Sequence, residues 1–402
     1  MRRKRMAVAV VVAVLSGATG AYAQKSSVEI YGRVNTGIDS YEAKGATAGT
    51  AADFKRRTRV FDAASRVGLR GTEDLGGGLR AIFQIETGIN IDTGTGTGQS
   101  GAVNANANGA WASRDSFGGL DSSYGRLTFG RQSIYWANGV SIQHAANYVN
   151  TEVPFLSGVI LGRLSGPVAR QSNVVQYTTP SFGGFNATLS YAPNSETAAG
   201  GANTNARIYG FTVRGIVGAF AGQVDWAQNR GATPAAGQVP ETAGLKVVGS
   251  WGYMPGARIA GLWLRVDNDI GNAASGTIPG PVAGFSAAGD SLKQDGWALS
   301  WEHTFGNIQA LAQYGQLGKV KGCSVVANCN NTKADSFMLG ARYFLSKRTW
   351  LYATYNQVDN ESNQILDYVA AGITSAVNVG LTPGIPAGAD PKIWALGIFH
   401  SF

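Results

Sequence analysis

The sequence predicts an all-β protein, a sixteen-stranded antiparallel transmembrane β-barrel with an inward-folded third loop. Much of the chain alternates apolar and polar residues with the period of two that places successive side chains on opposite faces of a strand. After residue 23 no apolar run reaches the length of a membrane-spanning helix, although the chain contains 9 Trp and 15 Tyr. The chain also ends on a strand whose last residue is aromatic.

The first 23 residues read as a cleavable secretory signal peptide, and residues 24–402 as the barrel. Four basic residues at positions 2–5 precede an apolar stretch at 7–15, and Ala21 and Ala23 mark a small-residue cleavage site. Removing the signal peptide lowers the number of Lys and Arg from 33 to 29 against 25 Asp and Glu, so the net charge falls from +8 to +4. This small excess gives no support for nucleic-acid binding.

The alternation of apolar and polar residues predicts the first strands. Residues 28–41 place Val28 and Ile30 on one face and Glu29 and Arg33 on the other. Residues 65–72 and 79–91 form a hairpin, and 114–121 and 125–131 form a second one. The inner face of the first hairpin carries Arg66, Arg70, Arg80, Gln84 and Glu86.

Later strand pairs meet at short turns and are separated by long polar loops. The short turns lie at 180–184, 217–219, 254–257, 306–307 and 346–348, and the long loops at 193–206, 229–243, 268–294, 318–334 and 359–391. This alternation, with short periplasmic turns and long outer loops, is typical of outer-membrane barrels. It gives sixteen strands, with fourteen or eighteen as alternatives. Aromatic residues near the short turns predict an interfacial belt: Tyr253, Phe305, Phe344, Trp350 and Phe402.

The closing strand at 392–402 has one mostly apolar face, formed by Trp394, Leu396, Ile398, His400 and Phe402. In a closed barrel such a strand pairs with the first strand, so no edge is left exposed. The pattern resembles the C-terminal strand of Gram-negative outer-membrane barrels, in which the terminal Phe belongs to the assembly signal. Phe402 and His400 are therefore candidate assembly-signal residues, with His400 at a position that is more often aromatic.

Residues 132–171 have the wrong composition for a loop in water. Ten apolar side chains lie between Val140 and Leu164, and each loses roughly 1.5–3 kcal/mol if it stays exposed. We expect this loop to fold into the lumen and pack on the wall. The alternative is a surface loop that packs against a partner protein.

Catalytic and metal chemistry has little support. The three histidines, His144, His303 and His400, show no spacing typical of a hydrolase or a zinc site, so neither enzyme activity nor a cofactor or metal is expected. Cys323 and Cys329 lie in one long loop, and in an oxidising compartment they most simply form a disulfide; two free thiols are the alternative.

Several motifs resemble the general porins of beta-proteobacteria, of the Neisseria, Bordetella and Comamonas type. They are Ser-Arg-Val-Gly-Leu-Arg-Gly at 65–71, Glu-Asp-Leu-Gly at 73–76, Phe-Gly-Arg-Gln at 129–132, residues 177–185, Leu-Ser-Lys-Arg-Thr at 345–349 and His-Ser-Phe at 400–402. The resemblance implies a homotrimeric outer-membrane channel for small hydrophilic solutes and anions. It also implies contact with membrane lipid and lipopolysaccharide, and assembly by the barrel assembly machinery.

The resemblance also implies an arginine cluster at the pore constriction, and Arg66, Arg114 and Arg170 match its positions. The alternation along the strands predicts that Arg70 and Arg80 also face the lumen. It also predicts that Arg114 shares a face with Ser116 and Gly118, opposite Phe117. The acid expected to face the cluster is Glu152, with Asp39 and Glu86 as further candidates. Such a ring predicts mild anion preference. The alternative is that these arginines only neutralise carboxylates of the wall.

Two other functions stay open beside the general pore. One is a substrate-specific channel, which typically has an aromatic track along its path. We expect no continuous track here, although Tyr31 and Trp263 are predicted to point inward. The other is a structural or adhesive barrel with a blocked lumen.

Overall fold

The computed structural model describes residues 26–63, 65–92, 111–134, 170–193, 207–231, 241–269, 276–277, 285–286, 289–367 and 385–402. The predicted signal peptide at 1–23 lies outside the described residues. So do positions 135–169 of the predicted inward loop, including Glu152.

The described residues form strands almost throughout, and within them no helix is long and apolar enough to cross a membrane. The strands are β1 (Ser26–Lys44), β2 (Phe54–Asp62), β3 (Arg66–Gly76), β4 (Leu79–Gly88), β5 (Ser116–Ser122), β6 (Gly125–Ser133), β7 (Arg170–Thr178), β8 (Phe185–Pro193), β9 (Arg207–Val217), β10 (Phe220–Arg230), β11 (Glu241–Met254), β12 (Ala257–Asp269), β13 (Gly276–Thr277), β14 (Phe285–Ser286), β15 (Ser291–Phe305), β16 (Ile308–Leu317), β17 (Ala334–Phe344), β18 (Thr349–Asn360) and β19 (Asp390–Ser401).

Seventeen of the described strands form one closed antiparallel sheet, and β13 and β14 form a separate small hairpin. The first half of β1 pairs with β3 and its second half with β2, so β2 and β3 together fill one position in the wall. The wall then has sixteen positions, and β19 closes it by pairing with β1. The predicted sixteen-stranded barrel is confirmed.

The predicted sequence of short and long connections also agrees with the structure. Short turns connect strands such as β9 and β10, and long loops connect strands such as β12 and β15. The prediction missed β2. Its nine residues include Lys55, Arg56, Arg57 and Arg59, and this basic run hides the apolar alternation that identifies a strand.

The outer face of the wall is apolar, and the inner face is mixed. Val28 and Ile30 are more than 60% exposed on the outside, whereas Arg33, Asn35 and Asp39 are buried inside. The inner faces of β18, β19, β1 and β2 also hold a buried aromatic core, which comprises Tyr41, Phe54, Phe61, Trp350, Tyr352 and Phe399.

The structure corrects three of the predicted orientations, two of them at this core. Trp350 is buried inside the barrel, where it stacks on Phe399 with a ring-centroid distance of 4.0 Å, and Phe344 packs against the same core. Neither therefore belongs to the interfacial belt. Trp263 lies on the outer face, opposite Trp297 of β15, because the residues that alternate with it, such as Leu264, are the buried ones.

Candidate pore constriction

The inner wall gathers opposite charges around Glu86 of β4. Gly68 of β3 lies opposite Glu86, and the absence of a side chain there leaves room for Tyr31, because a Cβ atom on Gly68 would lie 2.5 Å from Tyr31 Cζ. Tyr31 Oη donates to Glu86 Oε2 at 3.1 Å. Arg66 Nε lies 3.5 Å from Glu86 Oε2, and Arg114 Nε lies 2.5 Å from Oε1. One carboxylate thus holds two guanidinium groups and a phenol.

Asp115 holds a second group of side chains beside the first. Its Oδ1 accepts from Arg170 Nε at 2.8 Å, and its two carboxylate oxygens accept from Ser133 Oγ at 3.0 and 3.1 Å. Arg131 lies on the other face of β6, in phase with the exposed Phe129, and its Nε donates to the Ser113 carbonyl at 3.0 Å. Arg114 is 6% exposed and Arg170 is 5% exposed. Both are therefore held in place by the wall rather than free in the lumen.

We call this group the constriction cluster: Tyr31, Arg66, Glu86, Arg114, Asp115 and Arg170. Among the described residues it contains three arginines and two carboxylates. The charges of Arg114, Arg170 and Glu86 all act on Arg66. Low-dielectric walls focus the field of such a group.

The structure brings together three of the predicted site residues, Arg66, Arg114 and Arg170. Arg70 and Arg80 lie elsewhere, nearer the short-turn end. Arg70 binds Glu29 through two hydrogen bonds of 2.8 and 3.0 Å, and Arg80 forms an ion pair with Asp121.

Of the three candidate acids, Glu86 lies in the cluster. Asp39 instead pairs with Arg59 at 3.2 Å. Sequence reasoning missed Asp115, although it directly follows Arg114 in the chain.

Arg114 points into the barrel, but the reasoning from strand phase was wrong. β5 begins at Ser116, and its register sets Phe117 opposite Gln84 on the inner face. Gly118 lies opposite Phe129, which is 53% exposed on the outside. Arg114 precedes the regular strand, where its N–H donates to the Glu86 carbonyl at 2.9 Å. Its orientation comes from this irregular segment and not from alternation.

The two cysteines lie at the extracellular end of the wall. The structure joins Cys323 and Cys329 by a disulfide, with a Cα–Cα distance of 5.9 Å. Thr332 Oγ1 donates to the Cys329 carbonyl at 2.9 Å, and Gln364 Nε2 donates to the Thr332 carbonyl at 2.5 Å. The cross-linked loop is therefore tied to the loop that follows β18.

Comparisons with known proteins agree with this architecture. A family model described as Gram-negative porin matches residues 7–363. An outer membrane porin protein of Bordetella pertussis is 36% identical over 196 residues, which is 45% of this chain and 46% of that protein. Outer membrane porin protein 32 of Delftia acidovorans is 27% identical over 409 residues and the full length of both chains. The solved structure titled anion-selective porin from Comamonas acidovorans covers 94% of this chain with a TM-score of 0.67 at 23% identity, and it shows the same fold.

Proposed function

This chain belongs to the Gram-negative porin family, and we propose that its channel is mildly anion-selective and assembles as a homotrimer. The protein is an outer-membrane channel through which small hydrophilic solutes diffuse. We propose further that it has no enzymatic role.

The constriction cluster carries the proposed selectivity. Its three arginines face only two carboxylates among the described residues, so neutralisation within the cluster leaves positive charge in the lumen. A cationic ring in a narrow aperture attracts anions and repels cations. The anion-selective Comamonas porin, which has the same fold, supports the same direction.

The experiment is the zero-current potential across a planar bilayer under a KCl gradient. The wild type should prefer chloride, and Arg114→Ala combined with Arg170→Ala should lose much of that preference. Arg265→Ala is the matched control, because Arg265 pairs with Asp295 on the outer face and its charge lies outside the lumen. Potassium preference in the wild type, or an unchanged double variant, contradicts the proposal.

Two further parts of the proposal concern residues that lie mostly outside the described ranges. We propose that residues 1–23 are removed on secretion and that residues 132–171 narrow the lumen. Deletion of residues 140–156 should then raise the single-channel conductance. An unchanged conductance in a folded barrel would indicate that this loop lies on the outer surface.

A substrate-specific channel is less well supported by the inner wall. Its largest aromatic group includes Tyr41, Phe61 and Tyr352, and each of these is at most 4% exposed. A passing solute therefore meets no aromatic track at these residues.

A further inference from the structure

A groove on the outer wall lies among the outward side chains of β7 to β10. Its volume is about 690 Å³, and aromatic residues form much of its lining. Leu189 and Tyr191 are exposed there, so the groove opens away from the lumen. Strand register arranges the outward residues in two rows, with Val175, Tyr191 and Tyr209 in the first and Tyr177, Leu189, Phe211 and Trp226 in the second. Lipid surrounds the outer face of a membrane barrel, so hydrocarbon chains meet this groove.

Two arginines, which we call the outer arginine pair, lie directly beyond the first row. Arg207 is the first residue of β9 and Arg230 is the last residue of β10, and the register sets them opposite each other. Arg207 is two residues from Tyr209, so it shares the outward face and lies roughly 7 Å further along the strand. Both arginines adjoin long loops, which lie outside the cell in outer-membrane barrels. The pair therefore lies at the extracellular end of the groove.

The acids around the outer arginine pair do not form ion pairs with it. Like charges at directly opposite positions of two strands repel each other. In the part of the chain that the structure describes, neither arginine forms an ion pair. Glu241 of β11 lies opposite Arg230, but its Oε1 accepts a hydrogen bond from Gln228 Nε2 at 2.5 Å. Asp269 of β12 is one strand further away. Because Arg207 is two strands from Glu241, or about 10 Å, its charge is the less compensated of the two.

Arg207 also keeps an unused hydrogen-bond donor. Its cross-strand neighbour on β8 is Pro193, which carries no charge. Arg207 Cζ lies 5.9 Å from the centre of the Tyr209 ring, so the guanidinium group rests over the aromatic wall of the groove. Arg207 Nε is buried and has no hydrogen-bond partner among the described residues. A buried donor without a partner costs free energy, which an acceptor oxygen from a ligand would recover.

We propose that this part of the outer wall binds a phosphate-bearing lipid of the outer leaflet, with its phosphate on the outer arginine pair and an acyl chain in the groove. A guanidinium fork matches the geometry of a phosphate group, and an anion between two arginines offsets their mutual repulsion. The phenol groups of Tyr191 and Tyr209 suit the boundary between hydrocarbon and headgroups, since one end of the ring is apolar and the other is polar. The proposal rests on the position of the barrel in the membrane and is independent of ion selectivity in the lumen.

The test is native mass spectrometry of the purified full-length protein in detergent, with bisphosphorylated lipid A added over a range of concentrations. The wild type should bind the lipid saturably. In Arg207→Gln combined with Arg230→Gln, the apparent Kd should rise about thirtyfold, as expected for the loss of two basic residues at an anionic lipid surface. Arg265→Gln with Lys293→Gln is the matched control, because it removes two charges from the outer wall where each already pairs with an aspartate. It should bind like the wild type.

Further arms separate the contributions of charge, lipid and fold. Arg207→Lys with Arg230→Lys keeps both charges and should retain most of the binding. Inorganic phosphate, which has no acyl chain, should not displace lipid A at a similar concentration. Equal affinity in the wild type and the glutamine variant, an equal loss in the matched control, or displacement by inorganic phosphate overturns the proposal. The zero-current potential of the glutamine variant should equal that of the wild type, and a changed potential would place these arginines in the lumen and also overturn it.

Discussion

Neutralising Glu86 is the sharpest test of the proposal that the constriction cluster selects ions. Glu86 is bound by Arg66 at 3.5 Å and by Arg114 at 2.5 Å, so Glu86→Gln keeps the shape of the residue and removes one negative charge. The three arginines of the cluster then face Asp115 alone among the described residues. We expect anion preference to increase, the direction opposite to that of the arginine variants.

The size of the effect follows from Coulomb's law. At the dielectric constant of water, a unit charge about 8 Å away changes the energy of a passing ion by about 0.5 kcal/mol. Anions gain this energy and cations lose it, so the permeability ratio shifts by about 1 kcal/mol, or about fivefold. Screening reduces the shift to about twofold at 0.1 M salt, where the Debye length is about 10 Å, and nearly abolishes it at 1 M.

The assay is the zero-current potential in KCl gradients centred on about 0.01, 0.1 and 1 M, which span the range of screening lengths. Asp295→Asn is the matched control, since it removes a carboxylate from an arginine pair on the outer face and should leave the potential unchanged. Breaking a buried ion pair costs about 3–5 kcal/mol, so folding is checked first by circular dichroism. An unchanged potential at low salt, or a shift toward potassium, refutes the reasoning.

The remaining predictions concern assembly and stability. Boiled and unboiled samples should migrate differently on a detergent gel if the barrel forms a stable trimer, and identical monomer bands contradict this. Lys246→Met leaves the buried Asp225 without its cation and should destabilise the barrel by about 3–5 kcal/mol in thermal unfolding, with much of the loss restored by adding Asp225→Asn. Cys323→Ser with Cys329→Ser should increase proteolysis of the loop at 318–333 without changing the melting of the barrel, and an unchanged cleavage rate argues against a stabilising cross-link. Gly37→Ala should lower the yield of folded barrel, because its Cβ would lie 2.6 Å from Gly397 Cα at the closing strand pair. Gly249→Ala, which meets nothing within 4 Å, should fold normally, and equal yields refute the steric account.

The wall was predictable from sequence because a barrel in a membrane has one simple requirement. The outer face must be apolar, so exposed apolar residues such as Leu396 and Ile398 mark the closing strand. The inner face has no such uniform requirement. It holds charged residues as well as the buried aromatic core around Phe61 and Trp350. Because aromatic residues occur on both faces, the sequence pattern does not show whether a given Trp points into the barrel or belongs to the interfacial belt. The orientations of Trp350 and Trp263 were therefore predicted wrongly, and the basic run in β2 was missed.

The cluster was harder to predict than the wall because side-chain contacts depend on the stagger between strands. Phase alone places Arg66, Arg70, Arg80 and Glu86 on one face, but the register of β3 with β4 decides that Gly68 lies opposite Glu86. This register brings Arg66 to Glu86, while Arg70 pairs with Glu29 of β1. Selectivity is set by the charges that share one level of the lumen, and the net charge of the chain does not report that distribution. We therefore expect Glu86, whose carboxylate lies between two arginines of the cluster, to affect selectivity more strongly than outer-face acids such as Asp295.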